Sequence, residues 1–388
     1  MRTQVCIIGG GPSGLLLSQI LHRAGIDTIV LERRPREYVL SRIRAGVLEE
    51  GSVEMLRKAG VGTRMDREGK VHSGTFIANR NRHFRVDFAE LTSKRVLVYG
   101  QTEITADLYD ARDAMQGAMV HGAEDVAIHD ISDRPHVTYR HDGGERRIDC
   151  DWIAGCDGFH GASRAAIPAG VLRCVERVYP FGWLGVLSQT RPAAPELIYA
   201  NHERGFALAS MRNDQLSRYY IQAPADDPLE KWSDDAFWDE LRRRLPSEVA
   251  ETMQTGPSVE KSIVPLRSFV AEPMRFNRLF LVGDAAHIVP PTGAKGLNLA
   301  LSDVHYLSDA LIAHYAGEDA GVEGYSERAL ARVWKATRFS WWFTTLMHRF
   351  PEPHGAYHLR MQEAEIDYLE GSEAARTVLA ENYVGLPL

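Results

Sequence analysis

Residues 9–14 of the chain, Gly-Gly-Gly-Pro-Ser-Gly, have the spacing of a phosphate-binding turn. Gly9, Gly11 and Gly14 allow a sharp bend, let a pyrophosphate approach without a Cβ in the way, and let the next helix pack closely on the preceding strand. The N-terminus of that helix offers free N–H groups and partial positive charge to an anion. The pattern predicts a dinucleotide site, with a purely structural turn as the alternative.

Carboxylates stand at the ends of three predicted strands. Glu32 ends a short apolar run and lies 18 residues beyond Gly14, close to the roughly 20 expected for an acid that holds ribose hydroxyls. Asp157 and Asp284, each beside a glycine, close two later strands in the crevice where open α/β sheets bind their ligands. Such carboxylates accept hydrogen bonds from a ribityl chain or fix nearby loops.

A run of arginines follows Glu32: Arg33, Arg34, Arg36, Arg42 and Arg44. A solvated helix face is the usual use of such a charge run. Beside a dinucleotide site, however, arginine suits phosphate because its planar guanidinium bonds two oxygens at once.

The elements that must position these groups belong to a globular protein. The chain has 388 residues, 44% of them hydrophobic, which indicates two or three domains. Its net charge of -7 argues against a generic nucleic-acid binder. No apolar stretch approaches the roughly 20 residues that span a bilayer, and we expect no signal peptide at the N-terminus. The four cysteines lack C-x-x-C spacing, so we expect a cytoplasmic protein without a metal site.

The pattern changes near Pro195, where alternating apolar and polar residues predict antiparallel strands, followed by a helix N-capped by Ser233. Arg212 lies on one such strand, with Ser210 two positions away on the same face. A buried arginine must be paired, since an uncompensated charge inside a protein costs several kcal/mol. The partner is an anionic ligand or, alternatively, a protein carboxylate. Further on, residues 334–350 predict an aromatic helix that serves as core or as a subunit interface.

With these motifs, the chain resembles the single-component (class A) flavoprotein aromatic hydroxylases, whose fingerprint is an N-terminal G-x-G-x-x-G, a middle D-G and a later G-D. The resemblance runs through RIRAGVLE (42–49), YGQTE (99–103), CDGFHG (156–161), ERVYPFGWLG (176–185), GDAAHIVPPTGAKGLNLA (283–300) and ENYVGLP (381–387). It is closest to members that hydroxylate 4-hydroxybenzoate at C3 to 3,4-dihydroxybenzoate, with tightly bound FAD, NADPH and O2, through a flavin C4a-hydroperoxide. Hydroxylation of 3-hydroxybenzoate, salicylate or a dihydroxybenzoate is the alternative, followed by a flavoprotein oxidase or a nucleotide-binding module.

The patterns and the resemblance together imply an α/β (α+β) fold with a Rossmann-like FAD domain at residues 1–177. Within it, the segment 73–97 is expected to join a smaller substrate domain, an antiparallel sheet at residues 178–268. Residues 269–388 complete the FAD site and add a helical region. The resemblance also implies a homodimer that acts in aromatic compound degradation, with a small aromatic acid as ligand and no nucleic-acid or membrane partner.

The resemblance assigns FAD contacts to Gly9, Gly11, Ser13, Gly14, Glu32, Arg42, Arg44, Ala45, Gly46, Val47, Gln101, Asp157, Arg218, Asp284, Leu297 and Asn298. It assigns NADPH contacts to Arg33, Arg34, Tyr38 and Arg44. Two adjacent arginines favour the 2′-phosphate of NADPH over NADH.

The implied substrate contacts are Tyr199, Ser210, Arg212, Tyr220 and Pro291. Tyr199 and Tyr383 are implied to meet the phenolic oxygen and to pass its proton towards His72, whose ordinary pKa of about 6.5 suits exchange with water. A phenolate is richer in electrons ortho to oxygen than a phenol, but a tyrosine with a pKa near 10 is a poor base at neutral pH. We therefore expect the tyrosines to act as links in a proton chain.

Overall fold

The computed structural model of the chain describes residues 1–41, 46–351 and 355–388. The strands are β1 (Arg2–Ile8), β2 (Thr28–Glu32), β3 (Val47–Leu48), β4 (Lys70–His72), β5 (Gly74–Asn79), β6 (Arg82–Asp87), β7 (Val96–Val98), β8 (Met119–His121), β9 (Glu124–His129), β10 (His136–His141), β11 (Gly144–Gly155), β12 (Arg173–Ser188), β13 (Ile198–Asn201), β14 (Ala207–Asn213), β15 (Leu216–Ala223), β16 (Ser258–Glu272), β17 (Arg275–Phe276), β18 (Leu279–Leu281) and β19 (His287–Ile288).

The described helices alternate with these strands along the chain, and four of them follow the last strand. They are α1 (Pro12–Arg23), α2 (Arg36–Ser41), α3 (Glu50–Lys58), α4 (Thr63–Glu68), α5 (Phe88–Thr92), α6 (Gln101–Ala114), α7 (Asp234–Arg244), α8 (Ser247–Thr252), α9 (Gly296–Tyr315), α10 (Ala320–Met347), α11 (Gly355–Gly371) and α12 (Glu373–Val384), with short 3-10 turns at Arg164–Ala166, Leu229–Lys231, Gly283–Ala285 and Pro291–Gly293. None of the described helices is both long and apolar enough to cross a membrane.

A first sheet has the strand order β17-β18-β11-β1-β2-β8, with β10 and β9 attached beside β11. Its central strands β18, β11, β1 and β2 run parallel. β1 is buried on both faces from Val5 to Ile8, which explains why its sequence is a continuous apolar run rather than an alternating one.

The register of these strands aligns the three predicted carboxylate motifs. Ile8 lies between Leu31 of β2 and Gly155 of β11, and Gly155 in turn lies opposite Leu281 of β18. The chain leaves each strand just beyond this row. The glycine turn and the segments that carry the later carboxylates therefore start from the same edge of the sheet.

A second sheet has the order β19-β16-β12-β15-β14-β13-β5-β6 and is antiparallel except where β13 meets β5. Tyr199 of β13 pairs with Leu208 of β14, which pairs with Tyr220 of β15. Residues paired across neighbouring strands point to the same face, so both tyrosines face the same side of the sheet. The mixture of a largely parallel sheet, an antiparallel sheet and helices confirms the predicted fold class.

The segment 73–97 supplies β5 and β6 to the second sheet and β7 to a small third sheet, ordered β3-β7-β4. The predicted domain boundaries at 177/178 and 268/269 fall inside β12 and β16. These two long strands pair with each other from Arg173↔Glu272 to Ser188↔Ser258. The division into domains is therefore a prediction about folding units, because the strands continue through both boundaries.

α9 and the first part of α10 pack in the core of the first sheet, whereas α7, the end of α10, α11 and α12 contribute to the cores of the second sheet. Ser233 caps α7 as predicted, since its side chain accepts a hydrogen bond from the Ala236 N–H. α10 buries Phe343 and Met347 in the core beneath Tyr199 and leaves Trp334 and Trp341 exposed.

Candidate cofactor and substrate site

The glycine turn lies against the end of β11. Gly9 has a φ of +111°, and a Cβ there would lie 2.2 Å from the carbonyl oxygen of Cys156. A Cβ at Gly14 would lie 2.0 Å from the carbonyl oxygen of Gly9. Both positions therefore need glycine to build the turn itself. Gly11 differs, because a Cβ there would meet no atom within 4 Å and would project into open space.

The first turn of α1 and Glu32 lie where the sequence predicts a dinucleotide site. Gly11 is the N-cap of α1 and has no side chain to bind the first N–H groups, which favours a bound anion. The carboxylate of Glu32 accepts hydrogen bonds from the backbone N–H groups of Gly10 and Arg34, each at 2.8 Å. The backbone thus fixes Glu32, whose remaining lone pairs can accept ribose hydroxyls.

The two later carboxylates differ in their surroundings. Asp284 lies in the 3-10 turn Gly283–Ala285 and lines a cavity. The Oδ2 of Asp157 accepts hydrogen bonds from both the N–H and the hydroxyl of Ser163, each at 2.9 Å. Burial raises the pKa of Asp157. Asp284 is therefore placed to bind a polyol, whereas Asp157 fixes the loop that follows β11.

A cavity of about 500 Å³ connects the first sheet with the second. Its lining includes Gly11, Glu32 and Asp284 from the first sheet and the turns that follow it, which we call the dinucleotide end, and Tyr199 and Arg212 from the second sheet, which we call the substrate end. Residues predicted to hold a dinucleotide and residues predicted to hold a small acid thus face the same space. Together with the open side of Gly11, this arrangement fits FAD.

Arg212 is a cation at the substrate end of the cavity. Its Nη1 donates to the carbonyl oxygen of Met211 at 3.2 Å, and its Nε is buried without a hydrogen-bond partner. Within residues 1–41, 46–351 and 355–388, no carboxylate pairs with Arg212. Burial lowers the pKa of Arg212, because desolvation disfavours the charged guanidinium. The side chain therefore still needs an anion, which favours the ligand over the protein carboxylate.

The strand that carries Arg212 is irregular at that position. β14 pairs with β15 as far as Met211↔Ser217, and the register then shifts before Asn213↔Leu216. Such a bulge bends a strand and re-aims the side chain within it. The direction of Arg212 therefore depends on this bulge as well as on simple alternation.

Ser210 and Tyr220 approach Arg212 in different ways. Ser210 lines the cavity, but its hydroxyl donates to the carbonyl oxygen of Arg218 at 2.7 Å. A carboxylate only accepts hydrogen bonds, so Ser210 binds the substrate acid only if its hydroxyl turns away from this carbonyl. Tyr220 also lines the substrate end, and its ring lies 4.9 Å from that of Trp183.

Two buried hydroxyl groups meet beside the cavity. The hydroxyls of Tyr199 on β13 and Tyr383 on α12 lie 2.8 Å apart. Both side chains are buried, and burial raises the pKa of both. Each phenol therefore stays protonated at neutral pH, and the pair can transmit a proton along its hydrogen bond without holding a charge.

The predicted third member of the proton chain is less closely connected. His72 on β4 lies with its Nε2 3.2 Å from the sulfur of Met211, and its buried Nδ1 has no partner in the described part of the chain. Burial lowers the pKa of His72. The structure brings Tyr199 and Tyr383 into contact, while the connection from Tyr383 to His72 remains a prediction.

Arg218 is paired with protein groups rather than directed into the cavity. Its Nη1 lies 3.2 Å from Oε1 of Glu260, and its guanidinium carbon lies 5.2 Å from the centre of the Tyr220 ring. Its predicted contact with FAD therefore stays a prediction.

Most other predicted contacts lie along the cavity. Ser13, Val47, Gln101, Leu297 and Pro291 contribute to its lining. The predicted FAD contacts Arg42, Arg44 and Ala45 lie outside the described residues.

Gly46 and Asn298 support the lining from behind. A Cβ at Gly46 would lie 1.9 Å from the carbonyl oxygen of Tyr99, so this position accepts only glycine without rearrangement. The side-chain amide of Asn298 donates to the carbonyl oxygen of Val47 at 2.8 Å and accepts from the N–H of Glu49 at 2.9 Å.

Arg33, Arg34 and Tyr38 are the predicted NADPH contacts that the structure describes, whereas Arg44 lies outside the described residues. Arg33 and Arg34 are exposed, and Arg34 and Tyr38 line the cavity mouth. The guanidinium carbon of Arg34 lies 5.2 Å from the centre of the Tyr38 ring. Both cations are thus available to an external phosphate.

A buried cation that the motifs did not reveal lies between α9 and α12. Lys295 donates to Oε1 of Glu49 at 2.6 Å and to the carbonyl oxygen of Tyr383 at 2.8 Å. Burial lowers the pKa of Lys295, and Glu49 opposes that shift. Arg332 donates to the other oxygen of Glu49 at 2.8 Å. A lysine just before a helix is the local signal, but its partner lies 246 residues away.

A second buried pair that sequence reasoning missed holds the turn of Asp284. Asp303 on α9 accepts hydrogen bonds from the Gly283 N–H at 2.8 Å and from Nε2 of His287 at 2.7 Å. Burial acts to lower the pKa of His287, but the charge and hydrogen bond of Asp303 outweigh it and raise the pKa. The histidine three residues after Asp284 is the signal that could have shown this pair.

Comparison with known proteins agrees with the site. A model of the FAD binding domain family matches residues 2–340. The p-hydroxybenzoate hydroxylase of Acinetobacter baylyi is 56% identical over 389 residues, covering 100% of this chain and 96% of that protein. The crystal structure of p-nitrophenol 4-monooxygenase PnpA from Pseudomonas putida has a TM-score of 0.80 at 19% identity, covering 100% of both chains. That of pqsL, a probable FAD-dependent monooxygenase from Pseudomonas aeruginosa, has a TM-score of 0.78 at 20% identity, covering 89% and 97%.

The glycine turn, the fold and the family match define a flavoprotein: the chain belongs to the FAD binding domain family, and its cofactor is FAD. Within that class it is an FAD-dependent aromatic monooxygenase. The resemblance inferred from the sequence motifs is confirmed at this level.

Proposed function

We propose that the protein hydroxylates 4-hydroxybenzoate at C3 to give 3,4-dihydroxybenzoate. The reaction consumes NADPH, O2 and a proton, and yields NADP+ and water beside the product. One observation carries the proposal: Arg212, which has no counter-ion in the described part of the chain, lines the same cavity as Tyr199, whose hydroxyl is hydrogen-bonded to that of Tyr383. The identity to a relative named p-hydroxybenzoate hydroxylase supports it.

A para-hydroxy acid matches the two ends of this arrangement. Arg212 binds the carboxylate, because the planar guanidinium fork matches two carboxylate oxygens at once. At the opposite end of the flat ring, the hydroxyl of Tyr199 meets the phenolic oxygen. Tyr220 lies beside Arg212 and limits how far the ring can tilt. An acid with its hydroxyl at the meta or ortho position reaches only one of the two ends.

The tyrosine pair activates the ring by removing the phenolic proton. Tyr199 receives this proton and donates its own to Tyr383 across their hydrogen bond. Neither tyrosine becomes a stable anion, since burial raises the pKa of both. We propose that the proton leaves through His72, which would pass the proton on rather than hold it, because burial lowers the pKa of its imidazole.

Bound FAD supplies the redox chemistry with NADPH and O2. The contribution of the chain is to hold the ring in place and to exclude water, because water diverts the oxidant to hydrogen peroxide. Trp183, Leu197 and Leu208 line the substrate end with apolar surface for this purpose. Arg33 and Arg34 are proposed to bind the 2′-phosphate of NADPH at the rim.

The test measures binding, coupling and product together. The purified holoenzyme is titrated with 4-hydroxybenzoate, 3-hydroxybenzoate and salicylate while flavin absorbance is followed. NADPH consumption is then compared with product identified by chromatography. We expect the para isomer to bind tightest and to give 3,4-dihydroxybenzoate in near-stoichiometric amounts. NADPH consumption that yields only peroxide would exclude the hydroxylase, and preferred turnover of another isomer would reassign its substrate.

A further inference from the structure

His348 lies directly after α10 and is buried. Both nitrogens of its imidazole form hydrogen bonds. Its Nδ1 lies 2.9 Å from the carbonyl oxygen of Thr344, which only accepts, so Nδ1 carries the proton. Its Nε2 lies 2.7 Å from the indole Nε1 of Trp183, which only donates, so Nε2 is the acceptor. Burial lowers the pKa of His348 to about 3. The ring is therefore a neutral, single tautomer at physiological pH.

Aromatic rings fix the plane of this imidazole. The ring of Phe181 lies 4.8 Å from it at an angle of 4°, and that of Phe206 lies 4.4 Å away at 30°. The imidazole cannot tilt without displacing one of these neighbours, because buried side chains are closely packed. His348 thus presents its acceptor nitrogen to Trp183 in a fixed direction.

Trp183 connects this hydrogen bond to the substrate end. Its indole lines the cavity, is stacked on Phe206 at 5.0 Å, and touches the ring of Tyr220 at 4.9 Å. The carbonyl oxygen of Thr344 accepts the hydrogen bond from His348, and the hydroxyl of Thr344 donates to the hydroxyl of Thr292 in the 3-10 turn beside the cavity. Residues at the end of α10 therefore contact both Trp183 and the turn Pro291–Gly293, which contribute to the lining of the same cavity.

We propose that His348 is a positioning residue that holds the indole of Trp183 as a wall of the substrate end and so restricts it to a single flat aromatic ring. The inference rests on the proposed function for the identity of that ring. His348 acts through Trp183, because an indole N–H without an acceptor in this apolar setting would turn towards the cavity to find one. An indole that turned in this way would narrow or displace the binding site for the aromatic acid.

The binding test uses paired substitutions in the holoenzyme. His348→Leu removes the acceptor, Trp183→Phe removes the donor, and the double variant removes both. We expect His348→Leu to weaken 4-hydroxybenzoate binding about tenfold, as for an unsatisfied buried donor. In the Trp183→Phe background, His348→Leu should not weaken 4-hydroxybenzoate binding any further. An equal loss in both backgrounds, or no loss in either, would overturn the proposal.

Two further variants separate positioning from stability. His348→Gln can accept from the indole through its amide oxygen and donate to the Thr344 carbonyl through its amide nitrogen, so binding should return to within about twofold of the parent. Val333→Ala removes buried volume from the same helix, away from the cavity, and should lower thermal stability without changing affinity. A loss of affinity in Val333→Ala as large as in His348→Leu would assign the effect to stability.

A measurement without substrate keeps this inference distinct from the proposed function. In holoenzyme labelled with 15N-tryptophan, the Trp183 indole is identified among the seven tryptophans by its loss in Trp183→Phe. Its N–H should exchange with deuterated water at least about tenfold faster in His348→Leu than in the parent. An unchanged rate would overturn the role of His348. Failure of 4-hydroxybenzoate to bind the parent would instead remove the proposed substrate and leave this result standing.

Discussion

The hydroxyls of Tyr199 and Tyr383 lie 2.8 Å apart in the core, although 184 residues separate them in the chain. One belongs to the second sheet and the other to α12. Both side chains are buried, and we propose that a proton that enters at Tyr199 leaves through Tyr383. This contact sets the first prediction.

Tyr199→Phe and Tyr383→Phe should each slow hydroxylation by roughly 100-fold, the lower range for loss of a positioned proton-transfer group. Binding of 4-hydroxybenzoate should weaken far less, since Arg212 is untouched. Single-turnover product formation in each variant and in the double variant provides the check. Because both tyrosines belong to one path of proton transfer, hydroxylation by the double variant should be no slower than hydroxylation by either single variant. Full activity in Tyr199→Phe would contradict the relay.

Arg212→Ala should weaken 4-hydroxybenzoate binding by roughly 100-fold, within the range for truncation of a buried charge pair. The same change should raise the thermal midpoint of the substrate-free protein, since the arginine has no counter-ion among the described residues. Calorimetry with and without substrate measures both effects. Arg173→Ala, at an exposed site of β12, serves as the control and should change neither.

Gly11→Ala should weaken FAD binding at least about tenfold while leaving the apoprotein as stable as the parent. The added methyl group meets no protein atom within 4 Å, so only a bound pyrophosphate would oppose it. FAD titration of apoprotein and urea unfolding supply the two measurements. Gly170→Ala, whose Cβ would also meet open space, is the matched control. Unchanged FAD affinity in Gly11→Ala would place the phosphates elsewhere.

Asp303→Asn should destabilise the folded protein by about 3 kcal/mol, because it removes the charge from a buried pair. The pKa of His287 is raised in the folded state, so the stabilisation by the pair is complete below about pH 6.5 and is lost as pH rises through that raised pKa. Urea unfolding between pH 6 and 9 should show this decline in the parent and not in the variant. An equal slope in both proteins would contradict the pairing.

For His348 we expect the opposite dependence of folding stability on pH. Its pKa falls from about 6.5 in the unfolded chain to about 3 in the folded protein, where burial keeps it neutral. The unfolded chain therefore binds the extra proton first, and this site should cost about 2 kcal/mol of stability between pH 7 and pH 5. His348→Gln should lack that loss when urea unfolding is compared at the two pH values. Equal losses would show that the imidazole becomes protonated in place.

The prediction of the dinucleotide end rests on motifs that are local in sequence. The glycine spacing demands a particular backbone, and the spacing to Glu32 reflects one strand–helix–strand unit. The orientation of Asp157 was not predictable in the same way. A carboxylate at this position can bind a ribityl chain or fix a nearby loop. In the structure, Asp157 accepts two hydrogen bonds from the nearby Ser163.

Pairs of distant side chains account for most of what sequence reasoning missed. Lys295 with Glu49, and His348 with Trp183, are far apart in the chain. Neither helical nor strand periodicity specifies which distant residue a side chain will meet. The bulge at Arg212 is a similar case, because alternation predicts a regular strand and only the pairing with β15 shows the shift.

The position of Tyr383 on α12 also has a consequence for biosynthesis. Synthesis runs from the N-terminus, so the glycine turn is made first and α12 is made after every other helix described above. A chain that stops between α10 and α12 would lack both the Tyr383 hydroxyl beside Tyr199 and the carbonyl oxygen to which Lys295 donates.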